Sequence, residues 1–342
     1  MSTITDVAKA AGVSVATVSR ALRGLDRVSP ATRERVLRVA AELDYVASPT
    51  ATSLASGRTK VVAVMTPFIT RWYFATIVNA IQQTLHQRGY HVILIVLEDD
   101  ENDVRRPLTR EMLWRRVDGV VSLNLPLEPE EHELLVSLDL PIVAIGTPVA
   151  GVPCVLIDEA VAISTATEHL IDLGHRRIGY VGGIPESLAL IRTPTKRLNA
   201  YRATLAAHDL PFDPSWVLEA EWSAEGSYDV AAPYISRPDR PSAIVAASDE
   251  LALGFMAKAV ELGLRVPGDL SVIGIDDYQN SRVFGLSTVR QDVVRQGIEA
   301  AHLLLSAMLE GAAQTDAQIV IATELIPRRT TAAPADVLAS PS

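Results

Sequence analysis

From Val61 onward, short apolar runs alternate with stretches of helical periodicity, and no other feature of the chain limits its fold as much. Candidate strands lie at 61–65, 92–97, 119–121, 142–145, 155–157, 178–181, 243–246 and 271–275. Candidate helices lie between them, near 74–89, 130–138, 160–173, 196–208, 223–235, 250–262 and 294–309. This alternation is the pattern of parallel sheets covered by helices on both faces. So many units in about 270 residues favour two lobes, with a ligand in the crevice at the strand C-terminal ends.

The first sixty residues read differently. They hold nine basic side chains against five acidic ones, a balance of +4 in a chain whose net charge is −10, which leaves −14 for the rest. A basic head on an acidic body concentrates attraction to phosphate at one end. Thr3 and Asp6 make a capping-box-like helix start, Gly12 suits a tight turn, and Ser14 caps a second helix from about 15 to 22. Ser29-Pro30 opens a third helix, whose positions Val36, Leu37, Ala40 and Leu43 are expected to close a small core on Val7 and Val18. Helix, short glycine turn, helix is the helix-turn-helix pattern.

Three ordered runs then make the head resemble that of the LacI/GalR repressor family: Thr3-Ile4-Thr5-Asp6-Val7-Ala8, Ala11-Gly12-Val13-Ser14 and Thr17-Val18-Ser19-Arg20. Val28-Ser29-Pro30-Ala31-Thr32-Arg33 is similar as well. The resemblance implies that the second helix enters the major groove of operator DNA. Val15 and Ala16 would touch thymine methyls, and Arg20 would read guanine. Ser14, Thr17, Ser19 and Thr32 would position the head on phosphates, with Arg23, Thr5, Ser29 and Tyr45 among the contacting positions. The stretch 48–57 resembles the family's hinge helix, in which Ala51 would contact DNA and Leu54 would wedge between base pairs in the minor groove. Ala47-Ser48 stands where Pro-Asn is usual and Thr52 where Arg is usual, so no arginine contact is expected from the hinge.

The body resembles the same family's periplasmic-binding-protein-like domain, through Val117-Asp118-Gly119-Val120-Val121, Gly174-His175-Arg176-Arg177-Ile178, Ser248-Asp249-Glu250-Leu251-Ala252 and Ile273-Gly274-Ile275-Asp276-Asp277. The fold implied is an all-α helix-turn-helix domain (1–47), a hinge (48–59) and a two-lobed α/β body of doubly wound parallel sheets (60–327). Lobe 1 would take 61–158 and 288–318, lobe 2 would take 159–287 and 319–327, and 328–342 would be a disordered tail. By the resemblance, Trp72, Tyr73, Phe74, Arg197, Trp222, Ser248 and Asp276 are effector-contacting positions. Five of them also have a structural reading: Trp72, Tyr73 and Phe74 as a helix start packed into the core, Arg197 as a surface charge, Asp276 as a cap or hinge. Flat apolar faces suit a sugar ring or a purine equally, and a carbohydrate is the expected effector. Ser248 stands where the family often has Asn, and Gly146-Thr147 where sugar-binding members often have Asp.

Other classes of function find little support. No His-Glu-x-x-His helix, Rossmann glycine spacing or P-loop is present, so neither an enzyme nor a cofactor is expected. The single cysteine, Cys154, excludes an intramolecular disulfide and a cysteine-based zinc site. The N-terminus lacks a signal-peptide core and no apolar run reaches membrane-span length, so a cytoplasmic protein without a membrane partner is expected rather than an exported solute-binding protein. One recognition helix reads few base pairs, so a homodimer on a pseudo-palindromic operator is expected, controlled by a small molecule. An activator, or a repressor answering to a protein partner, remains compatible with the residues.

Overall fold

A computed structural model describes residues 2–45, 57–97, 106–183, 193–311 and 316–334. It divides into two compact units, Met1–Lys60 and Val61–Ser342. The hinge positions Ala51 and Leu54 lie outside the described residues.

The head is three helices: α1 (Ile4–Ala11), α2 (Val15–Leu22) and α3 (Pro30–Glu42). Each starts on a hydroxyl cap. Thr3 and Asp6 close a reciprocal capping box, Ser14 accepts from the Thr17 amide at 3.1 Å, and Ser29 accepts from the Thr32 amide at 3.2 Å. Gly12 ends α1 at φ 67°, a left-handed turn that aims α2 away from α1. Val7, Val18 and Val36 are fully buried at the centre, ringed by Ala8, Ala21, Val39 and Ala40. Leu37 departs from expectation: it is 48% exposed, and Val39 takes its place in the core. A helix advances about 100° per residue, so 36, 39, 40 and 43 share a face that 37 cannot join.

The body holds two six-stranded sheets. The first has the order β11-β5-β4-β3-β1-β2 and all its pairings are parallel. Its strands are β1 (Val61–Thr66), β2 (His91–Val96), β3 (Gly119–Leu123), β4 (Ile142–Ile145), β5 (Cys154–Leu156) and β11 (Gln318–Val320). The second has the order β12-β10-β9-β8-β6-β7, with β6 (Ile178–Gly183), β7 (Val217–Ala220), β8 (Ala243–Ala246), β9 (Ser271–Asp276), β10 (Ser287–Gln291) and β12 (Thr323–Ile326). Only β12 runs antiparallel there. The helices that follow are α4 (Trp72–His86), α5 (Arg110–Leu113), α6 (Pro129–Ser137), α7 (Glu159–Asp172), α8 (Thr193–Ala207), α9 (Ala224–Ile235), α10 (Asp249–Glu261), α11 (Ser281–Phe284) and α12 (Val293–Glu310). Central strands such as β3, β4, β8 and β9 are buried along their whole length, as expected where helices cover both faces. The close packing of α9 on α10 depends on Gly254, where a side chain would collide with the Ala224 carbonyl. Among the described residues no helix is long and apolar enough to cross a membrane.

Two expected boundaries are corrected. Strand β10 pairs with β9 and β12, so residues 288–291 belong to the second sheet, and the chain returns to the first only with α12. Residues 319–320 pair with β5 and so belong to the first sheet. The tail is also ordered further than its composition implies. Thr330 is 3% exposed and trades hydrogen bonds with Val272, its hydroxyl donating to the Val272 carbonyl at 2.7 Å. The Ala332 amide donates to Ser271, and Arg328 pairs with Asp277 at 2.6 Å. These backbone groups find partners along the start of β9, which a count of Ala, Pro and Thr cannot foresee. Residues 335–342 lie outside the described residues.

Candidate nucleic-acid interface and ligand cleft

The outer surface of α2 is built by what the core leaves over. Val18 and Ala21 point inward, so Val15, Ala16, Arg20 and Arg23 are exposed and Ser19 is half-buried beside them. Val15 keeps 42% of its surface open. Arg23 reaches back to the Ser19 carbonyl at 3.3 Å, whereas Arg20 extends from the last turn. Ser14, Thr5 and Ser29 are exposed, and Thr17 and Thr32 are half-buried, each hydrogen-bonded to its capping serine. Tyr45 packs its ring against the head core.

In the body, a cleft enclosing about 590 Å³ of empty space opens between the two sheets. Most of its walls come from segments at strand C-terminal ends, and the rest from the start of α8. Arg71, Tyr73 and Phe74 follow β1, and Asn124 follows β3. Glu159 follows β5, Trp222 follows β7 and Glu250 follows β8, while Asp276 and Gln291 end β9 and β10. Arg197 reaches in from the second turn of α8.

Arg197 is the centre of this site. Its side chain is 4% exposed, its Nε donates to Glu159 at 2.6 Å, and its Nη1 donates to the Ala247 carbonyl. Asp276 Oδ1 lies 3.9 Å from the same Nη1, and the Trp222 ring centroid lies 5.9 Å from the guanidinium carbon. Burial works against the charge of Arg197, but Glu159 and Asp276 outweigh it and hold the guanidinium's pKa above its usual value. Asp276 is the reverse case. Burial, opposed by Arg197 and by a hydrogen bond from Gln291, pushes its carboxyl up to about 7. Its backbone is strained too, at φ 127°, and Asp277 follows at φ 56°. Next to it Asp249 is wholly buried, accepting from Ser281, Thr288 and the Tyr278 amide, and burial raises its pKa as well. Facing Glu250 across the cleft, Arg71 has its pKa lowered by burial, and Glu250 has its own raised by the same cause. No group of three or more His, Cys, Asp or Glu among the described residues could hold a metal ion.

The sequence pattern of bacterial regulatory proteins of the lacI family matches residues 3–48, and that of a periplasmic binding protein-like domain matches 167–331. The chain is 32% identical over 337 residues to the HTH-type transcriptional repressor PurR of Haemophilus influenzae, a match covering 96% of this chain and 98% of that protein. It is also 32% identical over 310 residues to catabolite control protein A of Priestia megaterium, covering 90% and 92%. The chain belongs to the lacI family. Among solved structures, the lac repressor dimer bound to operator and the anti-inducer ONPF superposes with a TM-score of 0.84 at 27% identity, covering 97% of this chain and 99% of that one. The transcriptional regulator CelR–cellobiose complex superposes with a TM-score of 0.68 at 28% identity, covering 96% and 100%. As a lacI-family member the chain is a DNA-binding transcriptional repressor with a ligand-binding domain, and its relatives are repressors rather than enzymes.

Of the residues singled out from sequence in this lacI-family body, Tyr73, Phe74, Arg197, Trp222 and Asp276 line the one cleft. Two do not. Trp72 turns instead onto Tyr278 of the second lobe, ring edge to face at 5.4 Å, because consecutive helical residues point about 100° apart. Ser248 is 1% exposed and its hydroxyl accepts from the Leu251 amide as the cap of α10. Arg71, Asn124, Glu159, Glu250 and Gln291 also line the cleft and were missed. Their common signal was position: each stands at or just beyond the end of a strand or at the start of the helix after it.

The raised carboxyl of Asp276 makes a pH prediction. The folded chain holds this proton to about pH 7, while the unfolded chain releases it near 3.8. Between those values the folded state binds more protons, so this group's contribution to stability falls as pH rises from 4 to 7. Asp276→Asn removes that slope. The melting temperature of the variant minus that of the native chain is expected to rise by about 2–4 °C between pH 5 and pH 8. A difference that stays flat across this range in scanning calorimetry would remove Asp276 as the titrating group.

Proposed function

We propose that this lacI-family repressor binds a pseudo-palindromic operator as a homodimer, through α2 of each copy, and is controlled by an uncharged carbohydrate in the cleft between its lobes. The observation that carries the effector class is the charge balance of the cleft. Two guanidiniums, Arg71 and Arg197, face three carboxyls, Glu159, Glu250 and Asp276, so with every group ionised two positive charges meet three negative ones. No positive excess is left to hold a phosphate or carboxylate ligand. Paired charges with unspent lone pairs and N–H groups, set beside the flat faces of Trp222 and Phe74, suit a ring carrying several hydroxyls. The cellobiose complex of the related CelR supports the same class.

Dimerisation is supported by the edge of the first sheet. Strand β2, His-Val-Ile-Leu-Ile-Val, is an edge strand whose side chains are half-buried or exposed, Leu94 keeping 43% of its surface open. An uncovered apolar edge invites pairing, and a second copy of the chain is the occupant consistent with the related lac repressor dimer. Sedimentation of the native protein is expected to show a dimer, and Leu94→Glu to weaken it at least about tenfold, the cost of one buried charge of roughly 1.4 kcal/mol or more. A native chain that sediments as a monomer at micromolar concentration refutes this interface.

In the operator, Val15 and Ala16 offer only methyl contacts, which leaves Arg20 as the polar base reader of α2. Arg20→Ala is expected to cost about 1–3 kcal/mol of operator affinity and to relax preference at one symmetric pair of positions. Arg38, which leans on Glu42 at 3.8 Å on the exposed side of α3, serves as the control. Equal loss on operator and on random DNA after Arg20→Ala would assign that arginine to phosphate.

The effector class is tested by thermal shift of the full chain against cellobiose, glucose, ribose, guanine and glucose 6-phosphate. At least one neutral sugar is expected to raise the melting temperature, by mass action on the folded state, and Arg197→Ala to abolish the shift. Stabilisation by guanine or by the phosphate ester alone would overturn the carbohydrate assignment.

A further inference from the structure

Along the cleft wall runs a line of four hydrogen-bonded side chains, three of which line the empty space while the fourth, Gln296, stands behind it. Tyr73, on α4 of the first lobe, donates its hydroxyl to Gln296 Oε1 at 3.3 Å. Gln296, in the first turns of α12, donates from Nε2 to Gln291 Oε1 at 3.0 Å. Gln291, the last residue of β10 in the second lobe, donates from Nε2 to Asp276 Oδ1 at 2.6 Å. Gln296 is 1% exposed, Gln291 5% and Asp276 8%. The line therefore passes from one lobe to the other beside Asp292, where the chain itself crosses.

The direction of these bonds is forced. A carboxylate only accepts, so Gln291 must present its N–H to Asp276 and its carbonyl to Gln296. Gln296 must then present its own N–H to Gln291 and its carbonyl to Tyr73, whose hydroxyl donates. If Asp276 takes up a proton and donates, every amide in the line has to turn over for the bonds to survive, and the Tyr73 oxygen becomes the acceptor. The four residues thus share one polarity, which a proton on Oδ1 would reverse and a proton on Oδ2 would leave standing but with a weaker acceptor at its end.

We infer that Gln291 and Gln296 are positioning residues that lock Asp276 as a hydrogen-bond acceptor towards the ligand and couple its ionisation to Tyr73 on the opposite lobe. The second oxygen, Oδ2, carries no hydrogen bond among the described residues, so the ligand atom meeting it is a donor, as a sugar hydroxyl is. The groups facing Asp276 are Arg197 from α8, Glu159 from the start of α7, and Glu250 and Asp249 from the start of α10. Burial opposes the anion most and the three carboxyls add to that, while Arg197 and the Gln291 bond are the main influences in its favour. The relay is therefore one of two supports for the charge, and its removal shifts a group already poised within the physiological range. This inference deepens the cleft reading, since it takes Asp276 as a ligand contact, but its test needs no ligand and fails separately.

The test titrates Asp276 in the full chain, labelled with carboxyl-13C aspartate, its signal assigned by loss in Asp276→Asn. Gln296→Leu removes both bonds of a residue that does not line the cleft. The Asp276 midpoint is expected to rise by about half a pH unit to one unit, three- to tenfold in proton affinity. Tyr73→Phe removes a single oxygen and is expected to raise the midpoint in the same direction, at least about twofold in proton affinity. The double variant should move it no further than Gln296→Leu alone, because residues acting in one line are not additive. A glutamine with a merely structural role would lower the melting temperature and leave the midpoint in place. A midpoint unmoved in Gln296→Leu overturns the relay. If that variant fails to fold, an unmoved midpoint in Tyr73→Phe does the same.

Discussion

The chain passes between its two sheets three times, after β5, after β10 and after β11, and the site depends on those crossings. Three strands joined to three partners hold the lobes as a pair whose strand C-terminal ends turn towards one space. In a parallel sheet every strand ends on the same edge, and the following helix starts there. Two such edges facing each other gather segments distant in the chain: residues 71, 73, 74, 124, 159, 197, 222, 250, 276 and 291 meet in one cleft. Neither sheet alone could enclose a ligand.

What is gathered there is charge, and burying charge is costly. A guanidinium with 4% of its side chain exposed survives because Glu159 and the Ala247 carbonyl take its N–H groups and Asp276 stands close by. Asp276 in turn survives partly by binding a proton more readily than an ordinary aspartate. Its backbone strain and the neighbouring buried Asp249 add to the cost. Such a group of unfavourable terms persists where the surrounding packing over-determines it, and the core around it does so. Ile273, Ile275 and Val289 are fully buried on the strands that carry Asp276 and Gln291. A ligand that supplies hydroxyl donors and acceptors relieves part of that cost on binding, which gives it a purchase on the angle between the lobes.

The head solves a different problem. Its described part is 44 residues long, too short for a large core, and its helices are 8, 8 and 13 residues. Lone helices of that length are marginal in water. Three side-chain caps, each worth about 1 kcal/mol, and a centre of three valines make up the difference. Because the core takes Val18, Ala21 and part of Leu22 from α2, the opposite side of that helix is left free to be chemistry: two small apolar residues and an arginine on one open surface.

Local features were legible because local physics makes them. Capping hydroxyls at Thr3, Ser14 and Ser29, the turn at Gly12 and the apolar runs of the buried strands all act within a few residues of themselves, so the helices of the head and most strands of the body could be read directly. The resemblance to a known family added Arg197, Trp222 and Asp276, which composition would not have singled out. Tertiary structure decided the rest. It chose Tyr73 and Phe74 over Trp72 for the cleft, through the phase of α4, and it spent Ser248 on a helix cap. It also put Val39 rather than Leu37 in the head core, placed β10 in the second sheet, and drew residues 328–334 onto β9, where free backbone groups waited for them. Glu159, Glu250, Gln291 and Gln296 became part of the site or its support only through contacts between segments tens to hundreds of residues apart. A chain records the preferences of each residue for its neighbours in sequence; which distant side chains share a buried charge is set by the packing of whole sheets, and no short window of residues contains it.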